Sequence, residues 1–230
     1  MSPIQFPLTP AELEALLLSL RIAAVAVAAA LPFAILAALL LARGRFLGKT
    51  LLDGIVHLPL VLPPVALGFL LLALLGTRAG LGAFLSEQLG IRLVFHWSGA
   101  ALASAILTFP FQVRAIRLVL EARDTGLDAA AATLGAGWWD RLFSITLPLA
   151  LPGMIAGAVT AFAACLGEFG AIITFVSNIP GETQTLPLAI YSALQQPGGE
   201  AAAARLATLS IALALVFMVA AQWLQRRAVR

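Results

Sequence analysis

From Ile22 to Ala42 the chain carries no charged residue. At the α-helical rise of about 1.5 Å per residue, such a run is long enough to cross roughly 30 Å of hydrocarbon. Further apolar runs give five predicted spans, at about 18–42, 53–75, 97–120, 147–176 and 204–224. Such a chain cannot hide its apolar surface in a soluble core of its own size, and the 61% hydrophobic and 11% charged content of the 230 residues agrees. The reading is an all-α polytopic membrane protein in contact with lipid. It divides into an external N-terminal segment (1–14), a transmembrane domain (15–225) and a basic tail (226–230).

The basic residues orient it. Arg43, Arg45, Lys49, Arg114, Arg117, Arg123, Arg141, Arg226, Arg227 and Arg230, ten of the fourteen lysines and arginines, fall at one set of span ends. Arg21, Arg78, Arg92 and Arg205 fall at the other. An excess of positive charge marks the cytoplasmic side, so the C-terminus is expected inside and the N-terminus outside. The net charge of +3 comes from these edge residues and calls for no nucleic-acid partner. Met1 to Glu14 has no basic residue ahead of the first apolar run, so a cleaved signal peptide is not expected.

Catalytic and metal chemistry finds little footing. Cys165 is alone inside an apolar run, and His57 and His96 have no partner at ligand spacing, so no metal site is expected. Arg43 to Thr50 brushes against a phosphate loop, but only three residues separate Gly44 from Gly48 where four are needed before Gly-Lys-Thr, and no strand precedes it. The chain is therefore expected to have no ATPase site and no cofactor of its own. An intramembrane enzyme would need a base or metal ligands beside Ser104, Thr108, Thr160 or Ser210, which the pattern does not supply. A secondary carrier would need an internal repeat, and none is visible.

Two stretches stand out within the spans. Leu58 to Val65 holds Pro59, Pro63 and Pro64, and three prolines in six residues forbid a regular helix. Irregular backbone at membrane depth is tolerated where it is buried in protein or lines a wet cavity. The stretch is either part of the transport path or its gate, or a kinked packing helix. Gly167, Glu168 and Gly170 form the second: a carboxylate in a span needs a partner, and an ionised Glu168 would repel an anion. A structural or gating role, paired with an arginine or with backbone amides, is favoured over substrate binding. Pro32 is expected to kink the first span, and Gly153 and Gly157, four apart, to let helices pack closely. Short helices are expected within 76–96 and 177–200.

Asp128 to Pro152 is half polar and helix-prone, with breaks at Gly135 and Gly137 and an apolar face of Trp138, Trp139, Leu142 and Phe143. It reads as two short helices meeting at an angle, within a cytoplasmic loop over 121–146. The stretch resembles the coupling loop of bacterial ABC importer permeases: Glu-Ala-Ala, three residues, Gly, nine residues, Ile-x-Leu-Pro. Ala130, Ala131, Gly135, Ile145, Leu147 and Pro148 fall in register, while the family's Glu falls on Ala129, one residue after Asp128. Leu58 to Val65, Gly167 to Thr183 and Pro197 to Glu200 look like the permease subunits of molybdate importers, with sulfate permeases as near relatives. The likeness runs from about Leu16 to Leu224.

The resemblance implies a type I importer permease fold and a homodimer around a shared path. It also implies cytoplasmic ATPase subunits that use ATP and Mg, and an external molybdate-binding protein. Asp128, Ala130, Ala131, Gly135, Gly137, Trp138, Ile145, Leu147 and Pro148 would couple to the ATPase, with Ile145 to Pro148 as a hinge. The spans themselves do not separate molybdate from tungstate or sulfate.

Overall fold

The computed structural model describes residues 8–44, 46–77, 80–122 and 126–228, without the side chains of 221 and 224–228. Most of the expected N-terminal segment (1–7), Arg45, Arg78, Arg123 and the side chains of the basic tail lie outside the described residues.

The regular structure of the described residues is all helix, without strands. Helix α1 (Pro10–Arg43) starts on a capping box. Thr9 Oγ1 accepts from the Glu12 amide, and the Glu12 carboxylate accepts from the Thr9 amide at 2.8 Å. The helix runs unbroken through Pro32. It begins well before residue 18, because the cap, not the onset of apolarity, decides where the helix starts. Helices α2 (Lys49–Val61), α3 (Pro64–Leu75), α4 (Gly80–Gln88) and α5 (Trp97–Ala122) follow. Next come α6 (Gly126–Thr133) and α7 (Trp138–Arg141), which passes through a π-helical turn, Leu142–Thr146, into α8 (Leu147–Leu166). Helices α9 (Gly170–Val176), α10 (Leu186–Leu194) and α11 (Glu200–Ala228) complete the chain.

Among the described residues four helices are long and apolar enough to cross a membrane: Pro10–Arg43, Trp97–Ala122, Trp138–Leu166 and Glu200–Ala220. The stretch 53–75 is not straight: α2 and α3 meet at 112°. Pro59 sits inside α2 without ending it; the break falls at Leu62 and Pro63, and Pro64 opens α3 at a position where no amide hydrogen is needed. The contacts show that this bent pair still links the two ends of the bundle. Asp53 of α2 pairs with Arg117 near the end of α5, whereas α3 packs on α9, close to the start of α5. Counted as one broken span, the pair brings the crossings among the described residues from four to five.

The stretch 147–176 departs from a single span. Helix α8 stops at Leu166, and α9 is a separate short helix packed against α3. The elbow's second helix is likewise continuous with α8, so 121–146 is not a loop throughout and the backbone is helical from Ile145 to Pro148. Proline explains the local geometry. Pro148 cannot donate, and its ring crowds the carbonyl four residues earlier. The preceding turn widens so that the Leu147 amide reaches Leu142 O, five residues back.

The core is α1 against α5 and α8. Ala23, Ala26, Ala30, Ala34 and Ala38 of α1 are buried at helical spacing, and small side chains let helices approach without lipid or cavity between them. Gly157 does the same for α5 and α8: an added Cβ would lie 2.8 Å from the Gln112 Cα.

Candidate coupling and gating sites

The elbow is built by local backbone chemistry. Helix α6 ends where Gly135 takes φ +86°. Its amide bonds Ala132 O at 3.1 Å and the Ala136 amide bonds Ala131 O at 3.0 Å, the paired closure that a left-handed residue makes possible. Two residues on, the Gly137 amide donates to the Asp140 carboxylate at 3.2 Å and opens α7.

Helix α6 has no buried residue. Ala130 is exposed and Ala131 half-buried, as are Ile145 and Leu147, while Pro148 is exposed. On α7 and the π turn, Trp138 meets Trp139 edge-on at 4.4 Å, and Trp139 stacks near Phe143 at 6.0 Å. These rings are 58%, 65% and 61% exposed, beside Leu134 at 88%. An exposed apolar aromatic patch of this kind is a candidate partner surface.

Asp128 does not point to that surface. Its carboxylate takes a hydrogen bond from Arg43, the last residue of α1, at 2.8 Å, and the same guanidinium nitrogen donates to Thr146 Oγ1 at 3.0 Å. Thr146 is fully buried at the end of the π turn. One arginine thus joins α1, α6 and the root of α8. Beside it, Arg117 bridges Asp53 (3.0 Å) and Glu121 (2.7 Å), and His57 faces Asp53 at 3.1 Å.

The proline and glutamate stretches meet. A Cβ added at Gly170 would lie 3.0 Å from Pro64 Cβ and 3.3 Å from the Val65 amide nitrogen, so the start of α9 is pressed against the break between α2 and α3. Glu168 lies in the turn after α8 and accepts the Ala171 amide at 2.8 Å, capping α9 with its own carboxylate. Its partners are backbone amides, and Gly167 beside it is exposed. Pro64, next to Pro63, therefore packs against Gly170, which follows Gly167 and Glu168 in the turn before α9. Pro59 does not; it lines an apolar groove of about 400 Å³ with Phe33, Val56 and Phe109.

The opposite end of the bundle is tied by contacts that sequence spacing did not reveal. Arg205 of α11 donates twice to Glu12, at 2.9 and 2.5 Å. Ser19 Oγ accepts the Leu186 amide at 2.8 Å, and Arg21 lies 3.8 Å over the Trp97 ring. Thr183, fully buried, accepts the Ile179 amide and donates to Ser177 O, which orders the turn before α10. His96 sits between Ser98 and Glu182. Among the described residues no group of three or more His, Cys, Asp or Glu comes together as a metal site would. No pattern in the sequence signalled these contacts or the Arg43 pair, because partners 193 and 85 residues apart leave no periodic trace.

Comparison with known proteins places this architecture. Residues 30–230 match the model of the binding-protein-dependent transport system inner membrane component. The chain belongs to that family. It is 56% identical over 219 residues to the molybdenum transport system permease protein ModB of Escherichia coli (strain K12), covering 95% of this chain and 96% of that one. It is 52% identical over 216 residues to ModB of Haemophilus influenzae, covering 94% of each. Sulfate permease 2, chloroplastic, of Chlamydomonas reinhardtii is 40% identical over 206 residues, 90% of this chain but 55% of that protein. The fold matches the crystal structure of a bacterial ABC transporter that imports alginate, with TM-score 0.76 at 20% identity over 96% of this chain and 80% of that one. As a binding-protein-dependent inner membrane component with an importer permease fold, the chain is the membrane-embedded subunit of its transporter and not the catalytic one.

Proposed function

We propose that this chain is the permease of an ATP-driven importer that carries molybdate across the inner membrane. The observation that carries the reading is the 56% identity to the E. coli molybdenum permease over almost the full length of both chains. Two copies meet around a shared path, because four or five crossings are few to enclose one. Separate cytoplasmic ATPase subunits, which use ATP and Mg, dock on the Trp138, Trp139 and Phe143 patch and the exposed face of α6. An external binding protein delivers the oxyanion at the other end. In support, the related alginate transporter has been crystallised with a ligand-bound periplasmic protein.

The orientation places the Arg43 and elbow end in the cytoplasm, where basic residues collect. Glu12 and Arg205 join the starts of α1 and α11, so these helices run in the same direction. That arrangement, with the basic residues taken as cytoplasmic, supports an N-terminus outside and a C-terminus inside.

ATP binding draws the two ATPases together and moves the elbow. Because α7, the π turn and α8 are continuous, that motion passes as a rigid body into α8 and reaches the turn at Gly167 and Glu168, beside the broken span at Pro63 and Pro64. Opening and closing there alternates access to the path. Nucleotide can drive it only by binding the two conformations unequally. Glu168, held by backbone amides, keeps α9 in place and does not bind the anion.

Sulfate transport is the second reading, supported by the 40% identity to a sulfate permease. Uptake by cells with and without this chain, at low molybdate and a large excess of sulfate, separates them. Loss of sulfate-resistant molybdate uptake on deletion is expected; unchanged molybdate uptake alongside lost sulfate uptake overturns the molybdate reading in favour of sulfate.

A further inference from the structure

We infer that Arg43 is a positioning residue for transport: it ties the inner end of α1 to the elbow and makes α1 a second transmission rod, beside α8, between the ATPase face and the outer face. The inference rests on the proposed importer function. Helix α1 has 34 residues, about 50 Å at the helical rise, so both of its ends project beyond roughly 30 Å of hydrocarbon. At the inner end one guanidinium holds Asp128 of α6 and Thr146 at the root of α8. At the outer end Glu12 is clamped by Arg205 of α11, and Ser19 holds the first amide of α10. Between them the helix is unbroken.

Displacement of α6 therefore has two ways across the membrane. One runs through α7 and α8. The other runs through Arg43 and α1 to the shelf of α10 and α11, on the side where the binding protein docks. The Arg43 and Asp128 side chains are 38% and 22% exposed. A partly exposed pair of this kind costs less stability to break than a fully buried one. What it adds is a mechanical link between elements 85 residues apart in sequence.

The test uses the permease assembled with its ATPase in proteoliposomes, with the molybdate-loaded binding protein added, and reads molybdate accumulated per ATP hydrolysed. Arg43→Gln and Asp128→Asn are expected to lower that ratio at least about fivefold, the lower end of typical coupling effects. Binding-protein stimulation of hydrolysis should fall with it, while the thermal midpoint of the complex stays close to wild type. Arg43→Lys should recover part of the ratio, and the exchange of Arg43→Asp with Asp128→Arg should exceed either single change. A wild-type ratio in Arg43→Gln, or an exchange no better than its singles, overturns the inference. If Arg43→Gln fails to assemble, Thr146→Val, which removes the second acceptor, carries the same comparison. Absence of ATP-dependent molybdate accumulation in the wild type overturns the importer reading itself, and the inference with it, whereas failure of the variants alone leaves that reading standing.

Discussion

Arg205 closes over Glu12 with two nitrogens on one carboxylate oxygen, joining helices whose partners lie 193 residues apart. Glu12 is 6% exposed, and its other oxygen accepts the Thr9 amide. Removing one partner of a buried pair leaves the other charge stranded, at a cost of about 3 kcal/mol. Arg205→Leu should lower the midpoint of thermal unfolding in detergent by several degrees. Glu12→Gln combined with Arg205→Gln should cost less than the two single changes added together, because neither charge is then left alone.

Gly135 holds φ +86° and closes α6 through its own amide. Proline fixes φ near −65° and has no amide hydrogen, so Gly135→Pro denies both. The expected outcome is loss of co-purification with the ATPase, or hydrolysis without uptake. Gly135→Ala pays only for the left-handed backbone, about 1 kcal/mol, and should keep most uptake. Wild-type uptake by Gly135→Pro would remove the elbow from the mechanism.

Trp139 is 65% exposed, meets Trp138 edge-on and stacks on Phe143. Trp139→Ala therefore leaves the fold and its thermal midpoint nearly unchanged. It should weaken ATPase association by at least about tenfold, as loss of an aromatic anchor at the centre of an interface does. Equal association by titration of purified subunits would place the docking surface elsewhere.

Glu168 serves as an acceptor for the Ala171 amide. Glu168→Gln retains an acceptor oxygen and should keep α9 seated and uptake near normal. Glu168→Ala removes the cap, at about 1 kcal/mol, and should impair uptake of every transported anion equally. A change in the ratio of molybdate to sulfate transport in either variant would instead put the side chain in the anion path.

The sequence made the span content legible, because uncharged apolar runs such as Ile22 to Ala42 have little choice of fold. The elbow was legible through Gly135, whose left-handed backbone is the local event the pattern encodes. Three features were not. The start of α1 at Pro10 is set by the Thr9 and Glu12 cap, ahead of the apolar run. The stop of α8 at Leu166 and the separate α9 depend on Glu168 folding onto amides and on α3 arriving to pack at Gly170, both tertiary events. The continuity of α7 with α8 depends on the widened turn before Pro148, which the sequence pattern does not encode. Of the site, the glycines and prolines were visible because they act locally. Arg43, Thr146 and Arg205 were not, because each acts on a residue far along the chain.

The central claim is that this chain forms the membrane path of an ATP-driven molybdate importer. Its most direct test is accumulation of molybdate in proteoliposomes that contain this chain and its ATPase, with the binding protein outside and ATP inside. The account predicts accumulation that requires ATP, the binding protein and this chain together, and that persists under a large excess of sulfate. Accumulation without ATP, or accumulation of sulfate with exclusion of molybdate, would contradict it.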